Sequence, residues 1–517
     1  MIRRRRHRLL ALPATALAAV LLLGACTPGG IAELFGQGEQ STPTGEQVDE
    51  ALAPYYEQRV SWTDCGGGAQ CATALAPLDW DAPGEGDDVE LALVRYSATG
   101  DRIGSLFVNP GGPGASGFDF IRDSVDFAVG PALREAYDVV GWDPRGVGRS
   151  SAVTCYEDAA DMDAFLFGVP ENEVGTAGWI AEVTAAAEEF SAACAENTGE
   201  LLAHVDTDST VRDLDLLRAV LGDEQLHYLG YSYGTEIGAR YADAFPERVG
   251  RLVLDGATDP SLGVLDVVIA QQAGFEQALR SYLAACPALG ECPFPADVDE
   301  AAGLVRQLVD RLDESPLPAA DGRLFDGAVL STAIATALYD EESWSFLSQM
   351  FAELRAGDPT TGYFLADFYY GRENGEYLDN SFEAFVAINC LDYPVETDPA
   401  VLAAHNERLL EVAPTTATPS PVGDVLCQNW PHQFEGALGP VSGEGAAPIL
   451  VVGTTGDPAT PYEWAIELAE QLESGVLVTY NGEGHIAYDE GDPCVSDAVE
   501  SYLLTGEVPA TDPQCNA

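Results

Sequence analysis

Over the first half of the chain, short apolar runs closed by Gly/Pro loops alternate with stretches of helical spacing. Residues 89–97 alternate apolar and polar at their start and read as a strand. Gly104–Asn109 and Tyr137–Trp142 are brief, almost wholly apolar runs, the appearance of strands covered on both faces. Val211, Leu214, Leu217, Val220 and Leu221 then recur at helical spacing over Thr207–Leu221, with Asp208 or Ser209 available as the N-cap. Next come a strand at 226–230, a helix at 233–245 and a strand at 250–255. Such alternation predicts an α/β fold, a mostly parallel sheet flanked by helices.

From about 261 to 445 the sequence is mainly helical, broken by Pro and Gly clusters. Strand and helix resume at 448–453, 461–472 and 475–480. The last half-sheet is too small to fold alone, so the helical stretch reads as a large cap inserted before the last strands of one domain. The expected division is 51–260 for the first part of the core, 261–445 for the cap and 446–517 for the last strands.

The N-terminus changes the picture of location. Arg3, Arg4, Arg5, Arg6 and Arg8 precede an apolar run from Leu9 to Leu23, which ends in Leu23-Gly24-Ala25-Cys26. This predicts a signal peptide over 1–25, too short for a transmembrane span. Small residues before a Cys resemble a bacterial lipobox, which makes Cys26 the lipidation site. An ordinary secretory cleavage near the same place is the alternative, and both the general and twin-arginine export routes stay open. Residues 26–50, rich in Gly, Pro, Thr and Gln, read as a flexible tether. The expected location is the outer face of the cell membrane, with the lipid as the membrane contact.

Eleven cysteines agree with export. Setting Cys26 aside leaves an even set, and pairing neighbours along the chain joins Cys65 to Cys71, Cys155 to Cys194, Cys286 to Cys292, Cys390 to Cys427 and Cys494 to Cys515. Sequence alone does not determine that connectivity. No Cys-x-x-Cys occurs and the six His are scattered, so no metal or other cofactor is expected. With 24 Lys+Arg against 84 Asp+Glu, a formal charge of −60, the surface repels nucleic acid and excludes a phosphate-reading role.

The chemistry sits in Gly230-Tyr231-Ser232-Tyr233-Gly234, a G-x-S-x-G between a predicted strand and a predicted helix. This is the nucleophile turn of the α/β-hydrolase fold, where chain order is Ser, then acid, then His, with acid and base on loops after the last strands. Asp457 follows the strand at 448–453 and His485 the strand at 475–480. Serine is a poor nucleophile unless a base takes its proton, and the base needs an acid to hold its tautomer. His204, His227, His405 and His432 lack that position. Asp255, which closes its own strand, is the rival acid. For the oxyanion hole, one N–H is expected from Tyr233 and another from the loop Asn109-Pro110-Gly111-Gly112-Pro113-Gly114.

NPGGPGASG at 109–117, WDPRGVGRS at 142–150, GYSYGT at 230–235, AINCLD at 387–392, CQNWP at 427–431 and GTTGDPATP at 453–461 span nearly the whole chain from about residue 60. Together they resemble the proline iminopeptidases and, more closely, the secreted tripeptidyl aminopeptidases of actinobacteria, a group that includes the mycobacterial cell-envelope serine protease. The resemblance implies Ser232, Asp457 and His485 as the triad and Gly111 or Gly112 with Tyr233 as oxyanion donors. It also implies release of short peptides, tripeptides above all, from the free N-termini of peptide or small protein substrates. Iminopeptidases carry His-Gly-Gly-Pro-Gly where this chain has Pro110-Gly111-Gly112-Pro113-Gly114, which weakens any strict proline specificity. An aminopeptidase needs a carboxylate for the substrate ammonium group, and Glu236 and Asp392 are the candidates. A carboxylic-ester hydrolase or lipase with the same triad, and a non-catalytic envelope lipoprotein, are the competing readings.

Overall fold

The computed structural model describes residues 39–290, 292–488 and 493–516. The leader, Cys26 and the first part of the tether lie outside them. Ten strands form one sheet: β1 (Thr63–Gly66), β2 (Ala69–Ala76), β3 (Val89–Tyr96), β4 (Gly104–Asn109), β5 (Tyr137–Trp142), β6 (Leu226–Tyr231), β7 (Val249–Asp255), β8 (Ile449–Gly456), β9 (Gly475–Glu483) and β10 (Gln514–Asn516). Their order is β1-β2-β3-β5-β4-β6-β7-β8-β9-β10. β1 to β3 pair antiparallel and β3 meets β5 antiparallel; every later pairing is parallel.

Successive strand residues point to opposite faces, and here both faces are covered. Leu91, Leu93, Phe107, Val140, Leu252, Leu254 and Val451 enter one core, while Ala92, Val94, Leu106, Val108, Val139, Val253, Leu450 and Val452 enter the other. The helix Thr207–Leu221 packs on the first face, and its N-cap is Asp206, not Asp208 or Ser209: the Asp206 carboxylate accepts from the Ser209 N–H at 2.8 Å. A cap side chain must precede the helix to reach the free N–H groups of its first turn, and Asp208 and Ser209 already lie inside it.

Between β7 and β8 the described chain forms eight α-helices, from Val264–Leu289 to Val425–Gln428. Leu279, Tyr282, Leu283, Val305, Leu308, Val309, Leu330, Ile334, Leu347 and Phe351 give this cap a hydrophobic core of its own.

The tether differs from expectation over 39–50. Ser41 is buried, the Thr44 N–H donates to the Ala219 carbonyl at 2.9 Å, and Glu46 pairs with Arg218 at 3.0 Å and Arg248 at 3.1 Å. Arg218 is fully buried and needs carboxylates around it; Asp215 supplies one and Glu46 another. That demand draws a Gly- and Thr-rich segment onto the core. Five disulfides join Cys65 to Cys71, Cys155 to Cys194, Cys286 to Cys292, Cys390 to Cys427 and Cys494 to Cys515. Among the described residues, no helix is long and apolar enough to cross a membrane.

Candidate active site

Register brings the chemistry to one edge of the sheet. Asn109 at the end of β4 lies beside Gly230 of β6, and Tyr231 beside Asp255 of β7. Parallel strands that end level leave a crevice at their C-terminal edge, where α/β proteins bind ligands. Ser232 follows β6 directly, with φ 54° and ψ −128°, and the helix Tyr233–Ala244 begins at the next residue. Such a backbone costs a non-glycine residue free energy and persists only where its surroundings impose it. The Ser232 N–H donates to the Asp255 carbonyl at 2.9 Å, and the turn is tight enough that a Cβ on Gly230 would lie 2.6 Å from the Tyr228 ring.

Asp457 and His485 stand on the loops after β8 and β9. The His485 Nδ1 lies 2.9 Å from each Asp457 carboxylate oxygen. Asp457 also accepts from the backbone of Ala459 at 2.9 Å and of Thr460 at 2.8 Å, and from the Thr460 hydroxyl at 2.9 Å. Thr460 Oγ1 is 3.2 Å from His485 Nδ1 as well, so this one side chain steadies both acid and imidazole. His485 Nε2 is buried and has no hydrogen-bond partner among the described residues. Gly256, next to Asp255, lies against the imidazole; a Cβ there would stand 3.1 Å from His485 Cε1. Burial alone would lower the His485 pKa, but the charge and hydrogen bond of Asp457, helped by the charge of Asp255, carry it above its ordinary value of 6.5.

Asp255 holds backbone rather than the imidazole. Its carboxylate accepts from the N–H groups of Ala487 at 3.1 Å and Tyr488 at 2.7 Å, which secures the chain just after His485. Burial pushes it up to about 6.

Gly111 and Gly112 both take positive φ, 98° and 112°. A Cβ on Gly111 would stand 2.6 Å from the Tyr231 carbonyl and 3.0 Å from the Tyr233 nitrogen, so only glycine brings this loop against the Ser232 turn. The Gly111 N–H is engaged within the loop, donating to Asn109 Oδ1 at 2.9 Å. Of the two glycines, Gly111 has its N–H taken up by Asn109, whereas the Gly112 N–H makes no hydrogen bond within the described residues.

The cap touches each of these loops. Gln271 donates to the Ala459 carbonyl at 2.8 Å and Gly274 lies against Pro458, both after Asp457. The Tyr339 carbonyl accepts from the His485 N–H at 2.8 Å, and its ring meets the imidazole edge-on at 5.3 Å. Gly114 of the loop at 109–114 lies against the backbone of Ser381 and Phe385.

Glu236 and Asp392 stand near one another beside Tyr233, each with partners from the chain. Glu236 accepts from Arg240 at 2.7 Å and from Thr258 at 3.0 Å. Asp392 accepts from the Thr207 N–H at 2.9 Å and hydroxyl at 2.6 Å, and that hydroxyl also bonds the Tyr233 phenol. Burial pushes Asp392 up to about 7, against the hydrogen bonds of Thr207 and the charge of Arg240. Asn109 and Thr460 fall within the 109–117 and 453–461 motifs without a role the motif discloses, and Thr207 and Tyr339 have no sequence signature, since each acts through a neighbour distant in the chain.

A family model described as TAP-like protein matches residues 417–515, the segment that carries Asp457 and His485. The serine protease Hip1 of Mycobacterium tuberculosis is 38% identical over 485 residues, covering 89% of this chain and 92% of that protein. Carboxylesterase B of Mycobacterium tuberculosis is 36% identical, covering 90% of this chain and 91% of its own length. The tripeptidyl aminopeptidase of Streptomyces lividans is 32% identical, covering 88% and 86%. Likeness of this degree along almost the full length of each relative, on an α/β-hydrolase sheet with its helical cap, identifies an enzyme: the chain belongs to the serine hydrolase family of Hip1 and the TAP-like tripeptidyl aminopeptidases.

Proposed function

We propose that the protein is an exported serine exopeptidase that releases short peptides, tripeptides foremost, from free N-termini. The observation that carries the reading is the state of His485, its Nδ1 held by Asp457 and its Nε2 buried with no hydrogen-bond partner among the described residues, in a fold that also sets Ser232 on a strained turn at the end of β6. Ser232 Oγ attacks the scissile carbonyl carbon as His485 Nε2 takes its proton. The Tyr233 and Gly112 N–H groups receive the charge that develops on the carbonyl oxygen. His485 then returns the proton to the leaving amine, and water repeats the sequence on the acyl-enzyme.

His485 must be neutral to accept that proton, and a raised pKa keeps it charged to higher pH. The acid limb of kcat/KM is therefore expected to have its midpoint above 6.5, with activity lost as pH falls through it. A midpoint at or below that value in the folded enzyme would contradict the assigned Asp457 contact.

Three cap segments touch the loops at 109–114, 457–460 and 485, and a cap over the site would limit the room on the acyl side and favour removal of a few residues from an end. Asp392 adds a carboxylate next to Tyr233 for the substrate ammonium group, and Glu236 is the second candidate. Losing that partner in a water-poor site is costly. Tripeptidyl amides with a free N-terminus should be cleaved at least tenfold faster than their acetylated forms, on the order of one lost buried charge contact. Asp392→Asn or Glu236→Gln should erase much of that difference if the residue is the anchor. Equal rates on free and acetylated peptides would indicate an endopeptidase. Activity confined to acyl esters would favour the esterase reading, for which the likeness to carboxylesterase B speaks.

Export and lipid anchoring at Cys26 are supported by the leader sequence and by five disulfides among the described residues. Cys26→Ser should move the protein from the membrane fraction to the soluble fraction with its specific activity unchanged. Retention of the variant in the membrane fraction would remove the lipid assignment.

A further inference from the structure

We propose that a pocket on the flank of the cap, away from the catalytic groups, binds an alkylammonium or guanidinium group. The cavity has a volume of about 170 Å³ and lies where the segment after Cys155 meets the hairpin at 372–377 and the start of the helix Ser381–Asp392. Its wall combines the rings of Tyr156, Tyr370 and Phe382 with the carboxylate of Glu383, and Glu157 and Glu376 stand exposed at its rim. Aromatic faces attract organic cations, and an acidic rim draws them in from solvent.

Glu383 raises this above a collection of acidic side chains. It is only 7% exposed. Its Oε1 accepts from the N–H groups of Cys155 at 2.7 Å and Tyr156 at 3.0 Å, while Oε2 accepts no hydrogen bond from the described residues, and the side chain lines the cavity. Among the described residues no Lys or Arg pairs with it. Arg372, on the neighbouring hairpin, is taken up by Asp163 at 2.7 and 2.8 Å. A buried carboxylate without a counter-charge is costly, and an incoming cation relieves that cost. Its lining decides between kinds of cation: a hard metal ion needs several converging oxygen ligands, and among the described residues no three His, Cys, Asp or Glu side chains are grouped to hold one. An ammonium or guanidinium group needs one or two acceptors and aromatic neighbours, and the lining supplies Glu383 with Tyr156, Tyr370 and Phe382.

The same helix separates this pocket from the chemistry. Phe382 and Glu383 line the cavity, whereas the backbone of Ser381 and Phe385 faces Gly114 of the oxyanion loop. The inference stands whether the enzyme is a peptidase or an esterase, since it concerns binding alone.

Titration calorimetry on the full chain tests it. Four probes serve: n-butylammonium, Nα-acetyl-lysine methylamide and their neutral counterparts n-pentanol and Nα-acetyl-norleucine methylamide. The acetyl groups keep the two amino-acid probes from presenting a free N-terminus to the catalytic chamber. Each cationic probe that binds should do so at least tenfold more tightly than its neutral counterpart, and Glu383→Gln, which keeps an acceptor for the two backbone N–H groups, should remove that advantage. Asp392→Asn should leave it unchanged. If Glu383→Gln does not fold, Tyr370→Leu should weaken the cationic probes at least threefold and spare the neutral ones. Binding of both cationic probes assigns the pocket to side chains of lysine or arginine, and binding of butylammonium alone assigns it to free amines. Equal affinity for charged and neutral probes, no binding of either cation, or full binding by folded Glu383→Gln overturns the site.

Discussion

Ser232→Ala is expected to abolish covalent labelling by a fluorophosphonate and to reduce turnover by about 10⁶-fold, as loss of a triad serine does elsewhere. The loss is this large because the proposed mechanism rests on the Ser232 hydroxyl, the one carried by the strained turn between β6 and its helix. The fold should survive. The backbone contact that seats the turn, from the Ser232 N–H to the Asp255 carbonyl, does not involve the side chain, and alanine meets the same φ as serine. The circular dichroism spectrum should therefore be unchanged and the Tm within a few degrees of wild type. Labelling retained by a folded Ser232→Ala protein would mean that another residue is the nucleophile.

Asp457→Asn should cost on the order of 10⁴ in kcat with KM little altered. The carboxylate accepts from His485 Nδ1 and at the same time from the Ala459 and Thr460 backbone. An amide in its place offers a donor where the imidazole needs an acceptor. It thereby favours the tautomer with the proton on Nε2, the nitrogen that has to receive the Ser232 proton. Asp255→Asn is the control. Its carboxylate secures the N–H groups of Ala487 and Tyr488, so the change should lower stability more than chemistry. If Asp255→Asn proved the more damaging to kcat in folded protein, the acid would have to be reassigned.

What could be read from residues alone follows from how local each signal is. The apolar runs at Gly104–Asn109 and Tyr137–Trp142, the turn at Ser232 and the helical stretch before Ile449 are properties of short windows, and the α/β-hydrolase sheet with its cap follows from them. Chain order was enough to point to Asp457 and His485, because loops after successive parallel strands emerge on one edge. The edges of the sheet were less legible. β1, β2 and β10 are short or only weakly alternating, and β10 has just three residues. The packing of 39–50 depends on Arg218, whose burial no window around Glu46 reveals. Thr460, which contacts both Asp457 and His485, looks like any residue of a Pro-rich loop until the fold brings the imidazole to it.

The proposed nucleophile and base follow strands that are made far apart in time. Ser232 follows β6, whereas Asp457 and His485 follow β8 and β9, with the entire cap synthesised in between. A ribosome-bound or prematurely ended chain that stops within the cap holds a serine with no base to ionise it and no acid to orient that base. For a hydrolase of this family, the order of elements along the gene would thus act as a timer: hydrolytic power arrives only with the last strands, after nearly all of the chain has been made.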